Sequence, residues 1–173
     1  LDLAVGNFSF DGNVLLRLGN GDGTFRDSMR TSTGSTLSFA ASDLNKDGTL
    51  DLVTLTKSGD ALVLLGKGDG TFSFGILYPA GTGSQTILVH DFNGDGKPDL
   101  AMANAGRSPD FTDGNVAVLK NNGNGTFASA VNYAAGYLPS SVFAADLNGD
   151  NIPDLAVVNL GSNNVSVLKN NTD

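Results

Sequence analysis

"HDFNGDGKPDLAMAN", residues 90–104, sets Asp91, Asn93, Asp95 and Asp99 within nine positions and then turns apolar. Two other stretches align with it, "ASDLNKDGTLDLVTL" (41–55) and "AADLNGDNIPDLAVV" (144–158), and their leading aspartates Asp43, Asp91 and Asp146 lie 48 and 55 residues apart. A second block follows at "VLLRLGNGDGTF" (14–25), "LVLLGKGDGTF" (62–72) and "VAVLKNNGNGTF" (116–127), with Phe25, Phe72 and Phe127 47 and 55 residues apart. Both longer intervals come from extra residues around "RSPDFTDG" (107–114), in the connection between the two blocks. The acid-rich loop therefore belongs to a repeat with a period near 50 residues, and that period governs the reading of everything else.

Within each unit the apolar patches are short, rich in Val, Leu, Phe and Ala, and bounded by Gly, Asn, Asp and Pro. None carries a sustained helical period, so each reads as a strand. The third unit has four: "TILVHDF", "DLAMANA", "NVAVLKN" and "AVNYAAG". The chain opens on a second strand, "LDLAVGN", and closes on a third, "NVSVLKN", which gives about 14 strands. Four short antiparallel strands repeated at this period predict an all-β fold of β-propeller blades, about 3.5 of them. The whole of 1–173 is then one repeat array: a partial blade at about 1–36, blades at about 37–85 and 86–140, and a partial blade at about 141–173. A closed ring of seven such blades would need roughly 350 residues. Open sheet edges would follow, so the chain is expected to be a fragment of a longer one or to assemble with copies of itself. Leu1 falls in mid-motif, which agrees with a fragment.

Composition narrows the function classes. All 18 acidic residues are Asp, with no Glu, and 23 residues are Gly. Asp and Gly favour turns and compact oxygen clusters over helix faces. A net charge of −8 without a basic cluster argues against nucleic acid as a partner. No apolar run approaches the roughly 20 residues of a membrane span, so no membrane insertion is expected. Cysteine is absent, and the redox compartment cannot be read from it.

The loops carry the clearest chemistry. Oxygen side chains occupy positions 1, 3, 5 and 9: Asp43, Asn45, Asp47 and Asp51; Asp91, Asn93, Asp95 and Asp99; Asp146, Asn148, Asp150 and Asp154. Calcium takes about 6 to 8 oxygens, and alternate side chains of a tight turn can converge on one point. The backbone carbonyl at position 7 (Thr49, Lys97, Ile152) would add a further ligand. Position 6 must turn sharply and is Gly48, Gly96 and Asn151, residues that tolerate a left-handed backbone. An EF-hand loop would close with Glu at position 12, where this chain has Thr54, Met102 and Val157. Three Ca2+ ions, one per loop, would add +6 and bring the net charge of −8 to about −2.

Together, D-x-N-x-D-G-x-x-D-L and G-[DN]-G-T-F resemble the FG-GAP/VCBS repeats, the unit of the integrin alpha-chain β-propeller and of many bacterial secreted proteins. The resemblance covers essentially the whole chain. It implies that the loop between strands 1 and 2 of a blade binds calcium, a role carried here to the twelve side chains and three carbonyls above. The word "GAP" never occurs and "FG" appears once, at Phe74-Gly75, so the bacterial branch is nearer. Asp2 matches only position 9 of a fourth loop.

Elsewhere the signals are structural. "GDGTF" is followed by no Lys-Ser/Thr and opens no helix, so it reads as a hairpin turn whose Phe25, Phe72 and Phe127 pack between blades. His90, the single histidine, has no partner set for catalysis and reads as a strand residue. Tyr78, Tyr133 and Tyr137 read as core or rim packing. Antiparallel topology puts the acidic loops and the "GDGTF" turns on one face. The other face gathers the variable connections "NFSFDG" (7–12), "KSGD" (57–60), "GRSPDFTDG" (106–114), "STGST" (32–36), "GTGSQ" (81–85) and "YLPS" (137–140), where a carbohydrate or protein ligand is expected. The expected function is a non-catalytic, extracellular binding, adhesion or scaffold module with structural calcium. The alternative is the propeller domain of a secreted, lyase-like polysaccharide-active enzyme. No acid pair outside the loops and no His/Lys/Tyr cluster favours that alternative.

Overall fold

The computed structural model describes residues 2–6, 12–34, 36–73, 75–107, 109 and 111–171. Among these residues every regular element is a strand: β1 (Leu3–Gly6), β2 (Asn13–Arg17), β3 (Met29–Ser32), β4 (Thr36–Ser42), β5 (Asp51–Thr56), β6 (Asp60–Leu64), β7 (Ile76–Pro79), β8 (Ser84–His90), β9 (Asp99–Asn104), β10 (Asn115–Leu119), β11 (Val131–Ala134), β12 (Pro139–Ala145), β13 (Asp154–Asn159) and β14 (Asn164–Leu168). They form four antiparallel meanders, β1-β2-β3, β4-β5-β6-β7, β8-β9-β10-β11 and β12-β13-β14. The all-β fold expected from the repeats is thus present as separate blade-like sheets, three-stranded at both ends and four-stranded between, with no closed barrel.

The sheets stack face to face, and the first strand of the third sheet, β8, touches the first strands on either side, β4 and β12. Burial follows from this arrangement. All six residues of β9 are buried because sheets cover both of its faces, whereas the outermost β11 is exposed throughout. Strand alternation builds each junction. From the second sheet Val53, Leu55, Ala61 and Val63 meet Ile87, Leu100, Met102, Ala117 and Leu119 of the third. One unit on, Ala101, Ala103 and Val116 meet Val142, Leu155 and Val157. A smaller cluster of Val14, Leu52 and Leu64 joins the first sheet to the second. Each buried Val or Leu contributes about 1.5–3 kcal/mol, so these junctions hold the stack together.

One repeated feature has no sequence signature. The pairing of β4 with β5, β8 with β9 and β12 with β13 slips at the start of the first strand, at Thr36/Phe39, Ser84/Thr86 and Pro139/Ser141. Such slips bend a strand and increase its twist. The slip recurs at the same place in β4, β8 and β12.

Candidate metal-binding loops

Each acidic loop joins the first and second strands of its sheet, as the motif requires, and its fold is written in backbone donors aimed at carboxylates. In the first loop Asp43 accepts the N–H groups of Asp47 at 3.1 Å and Gly48 at 2.9 Å. Asp91 accepts those of Gly94 at 2.8 Å and Gly96 at 2.7 Å. Asp146 accepts from Gly149 at 2.7 Å and Asn151 at 2.9 Å. Position 5 accepts the N–H of position 7 in all three: Asp47 from Thr49 at 2.8 Å, Asp95 from Lys97 at 2.9 Å and Asp150 from Ile152 at 2.8 Å. The position-3 amide reaches the same residue. Asn45 donates to Asp47 at 2.8 Å, Asn93 to Asp95 at 3.3 Å and Asn148 to Asp150 at 2.9 Å.

Positions 3 and 5 are therefore joined directly and position 1 is held by the backbone beside them, while position 9 turns inward. Asp51, Asp99 and Asp154 are wholly buried. One oxygen of each accepts the N–H of position 2, from Leu44 at 2.8 Å, Phe92 at 3.3 Å and Leu147 at 3.2 Å. Its other oxygen accepts an N–H just past the third strand, from Gly66 at 2.8 Å, Asn121 at 2.8 Å and Asn170 at 2.9 Å. Asp2 makes the matching bond with Gly19 at 2.8 Å. The ninth position thus fastens the acidic loop to the neighbouring turn, and both lie at one end of the sheet as antiparallel topology demands.

The left-handed backbone expected at position 6 is present, with φ of 86° at Gly48, 76° at Gly96 and 66° at Asn151. Position 4 needs it too, at Lys46 (φ 61°), which sequence reading missed. Gly94 and Gly149 at the matching places were the available signal.

Electrostatics follow the hydrogen bonds. The hydroxyl and N–H of Thr49 lower the pKa of Asp47. The N–H of Lys97 does the same for Asp95, and those of Asn151 and Gly149 for Asp146. Asp99 moves the other way, because burial raises it against the opposing bonds from Asn121 and Phe92, with Asp95 and Asp91 adding repulsion. Among the described residues Lys97 makes the ion pair of these loops, at 3.2 Å from Asp95. No three acidic or His side chains among the described residues close on a common point. The donor set nevertheless fits a hard divalent cation: it is all oxygen and mostly anionic, and a carboxylate oxygen bonded to one N–H keeps a second lone pair.

The turns of the second block repeat in register. Asn20 bonds Thr24, Lys67 bonds Thr71 and Asn122 bonds Thr126, with the isolated bridges Gly19–Phe25, Gly66–Phe72 and Asn121–Phe127. Phe127 is 7% exposed and meets Tyr78 edge-on at 5.5 Å. Phe72 packs on the Val14–Leu52–Leu64 cluster. Phe25 departs from the expected packing between blades at 38% exposed, because among the described residues no sheet precedes its own. A groove between the third and fourth sheets, lined by Phe92, Val118, Tyr133, Leu155 and Leu168, matches residue for residue the place where Phe127 sits one unit earlier. His90 lies in β8, within 3.0 Å of the Asp91 carbonyl and stacked on Phe92.

At the opposite end, buried Asn104 donates to the Ala80 carbonyl and to Asn115, both at 2.8 Å, and accepts from Ser84 at 2.6 Å. Asn159 repeats the role toward Asn164 and Ser166. Neither was singled out from sequence. Asp113 accepts the Arg107 N–H at 2.6 Å, which holds part of the 106–114 connection and lowers the pKa of Asp113. Of the connections expected to bind a ligand, residues 7–11, 35, 108 and 110 lie outside the described residues, as does Phe74 of the "FG" pair.

A profile of FG-GAP-like repeats matches residues 1–54, 43–102 and 91–157. No curated protein matches the chain.

Proposed function

Because the chain belongs to the FG-GAP-like repeat family, a β-propeller-like repeat module, we propose that it is a calcium-binding propeller module, non-catalytic and extracellular, with the ions as structural staples. The observation that carries this reading is the threefold recurrence of one oxygen-rich loop in which the position-1 carboxylate accepts the position-6 N–H and the position-3 amide donates to the position-5 carboxylate in each copy. Three carboxylates within one nine-residue loop repel one another unless a cation offsets them. Asp43, Asn45, Asp47, Asp51 and the Thr49 carbonyl would hold the first ion. Asp91, Asn93, Asp95, Asp99 and the Lys97 carbonyl would hold the second, and Asp146, Asn148, Asp150, Asp154 and the Ile152 carbonyl the third. A bound ion supplies charge neutralisation and a fixed turn between the first two strands.

Thermal unfolding in calcium and in chelator tests the reading. At a free ion concentration 100-fold above Kd, each site contributes about 2.7 kcal/mol. A clear rise in Tm with calcium is expected, and identical Tm values overturn the staple.

On this rigid frame the proposed working surface is the face opposite the loops, which gathers the irregular connections. A carbohydrate or protein ligand is proposed there. Glycan-array binding that survives substitution of the acidic loops but is lost on changing residues 106–114 is the expected result. Turnover of a uronic-acid polymer by the same preparation would overturn the non-catalytic reading. No helix among the described residues is long and apolar enough to cross a membrane.

A further inference from the structure

Two asparagines outside the acidic motif each reach into two neighbouring loops. Asn121, past the end of β10, donates its side-chain amide to the Leu44 carbonyl and to the Pro98 carbonyl, both at 2.9 Å. Leu44 is position 2 of the first loop and Pro98 is position 8 of the second, 54 residues apart in the chain. Asn170, past the end of β14, repeats the arrangement one unit on, donating to the carbonyls of Phe92 and Pro153. The orientation of Asn121 is not free: its side-chain oxygen accepts the Gly123 N–H at 2.7 Å, so its two donors must face the loops. Its own N–H is held by Asp99, position 9 of the second loop.

We propose that Asn121 and Asn170 are positioning residues that couple ion binding in adjacent loops, an inference that rests on the calcium reading above. Leu44 sits between two ligand positions, Asp43 and Asn45, and is gripped from both sides, its N–H by Asp51 and its carbonyl by Asn121. An ion that orders the second loop fixes Pro98 and Asp99, and with them the Asn121 donors. The first loop then has less freedom to lose when it takes its own ion. The coupling is reciprocal, as any equilibrium linkage must be. At the junction of the first and second sheets the matching residue is Gly66, which keeps the bond to Asp51 and has no side chain to reach across.

The full chain titrated with Ca2+ alone tests this, with the amide signals of Gly48, Gly96 and Asn151 reporting the three loops separately by NMR. With Asn121 present, disabling the second loop by Asp91→Asn with Asp95→Asn should weaken the first by about fivefold. In Asn121→Ala the first loop should respond to that disabling by less than about twofold. Asn170→Ala makes the same test between the second and third loops and serves where Asn121→Ala does not fold. A first loop indifferent to the second in the parent chain overturns the coupling, and so does a dependence that survives Asn121→Ala. Calcium shifts at none of the three amides would overturn the calcium reading itself and the coupling with it. Binding without dependence overturns the coupling alone.

Discussion

The pentapeptides "NVAVL" (115–119) and "NVSVL" (164–168) differ at one position, occupy equivalent third strands and pair in the same register with β9 and β13. Val116 is nonetheless fully buried and Val165 is 58% exposed. Strand propensity and alternation are the same in both, so the difference comes from outside the strand. The fourth sheet covers Val116, and among the described residues nothing covers Val165. In a stacked array, burial belongs to the junction, and stability is close to a sum over neighbouring interfaces.

Three substitution pairs and one single substitution would break or sharpen this contrast, each read from urea unfolding at constant m. The largest difference is expected between Phe127→Ala and Phe25→Ala. Removing the buried ring should cost about 3–5 kcal/mol, and removing the exposed one less than about 1 kcal/mol. Equal losses would mean that exposure in the stack does not govern energy.

Next come Asp99→Ala and Asp154→Ala, which should cost about 2–4 kcal/mol each and cost the same, because each strands two inward-facing N–H donors. These aspartates escape the contrast: both are wholly buried although one is in an inner sheet and one in an end sheet. A much smaller loss at Asp154 would show that the end sheet is loose as a whole. Val116→Ala should then cost about 2 kcal/mol, against less than about 0.5 kcal/mol for Val165→Ala. The smallest effect is a gain. Lys46→Gly relieves a left-handed non-glycine residue at about 1–2 kcal/mol, offset in part by glycine's freedom when unfolded, for a net stabilisation of about 0.5–1 kcal/mol. Position 4 of the other two loops is already Gly, so the same relief is not available there.

Much of this was legible in the sequence because the repeat is strict. The period and the alternation gave four strands per unit, the incomplete units at both ends and the shared face of loops and turns. Asn151 could be placed in a left-handed turn since it stands where Gly48 and Gly96 stand. Lys46 could not, because lysine carries no preference for that backbone and only its aligned glycines betray it. Asn121 was invisible for a different reason: its partner Leu44 lies 77 residues away in another unit. A repeat alignment reports what each unit shares, whereas a bond between units depends on how they stack. For the same reason the exposure of Phe25 could not be read from a motif it shares with Phe127.

Gly66 sets a limit on how the units can be exchanged. A Cβ there would sit 2.2 Å from the Leu50 carbonyl oxygen, so the asparagine found at the next two junctions cannot be installed without moving the backbone. The turn at Gly66 is therefore fixed by a close backbone approach, where the corresponding turns at Asn121 and Asn170 are fixed by an amide that reaches two loops. Exchanging one unit for another would bring the wrong residue to that turn, so the repeats, though alike in motif, are not interchangeable parts.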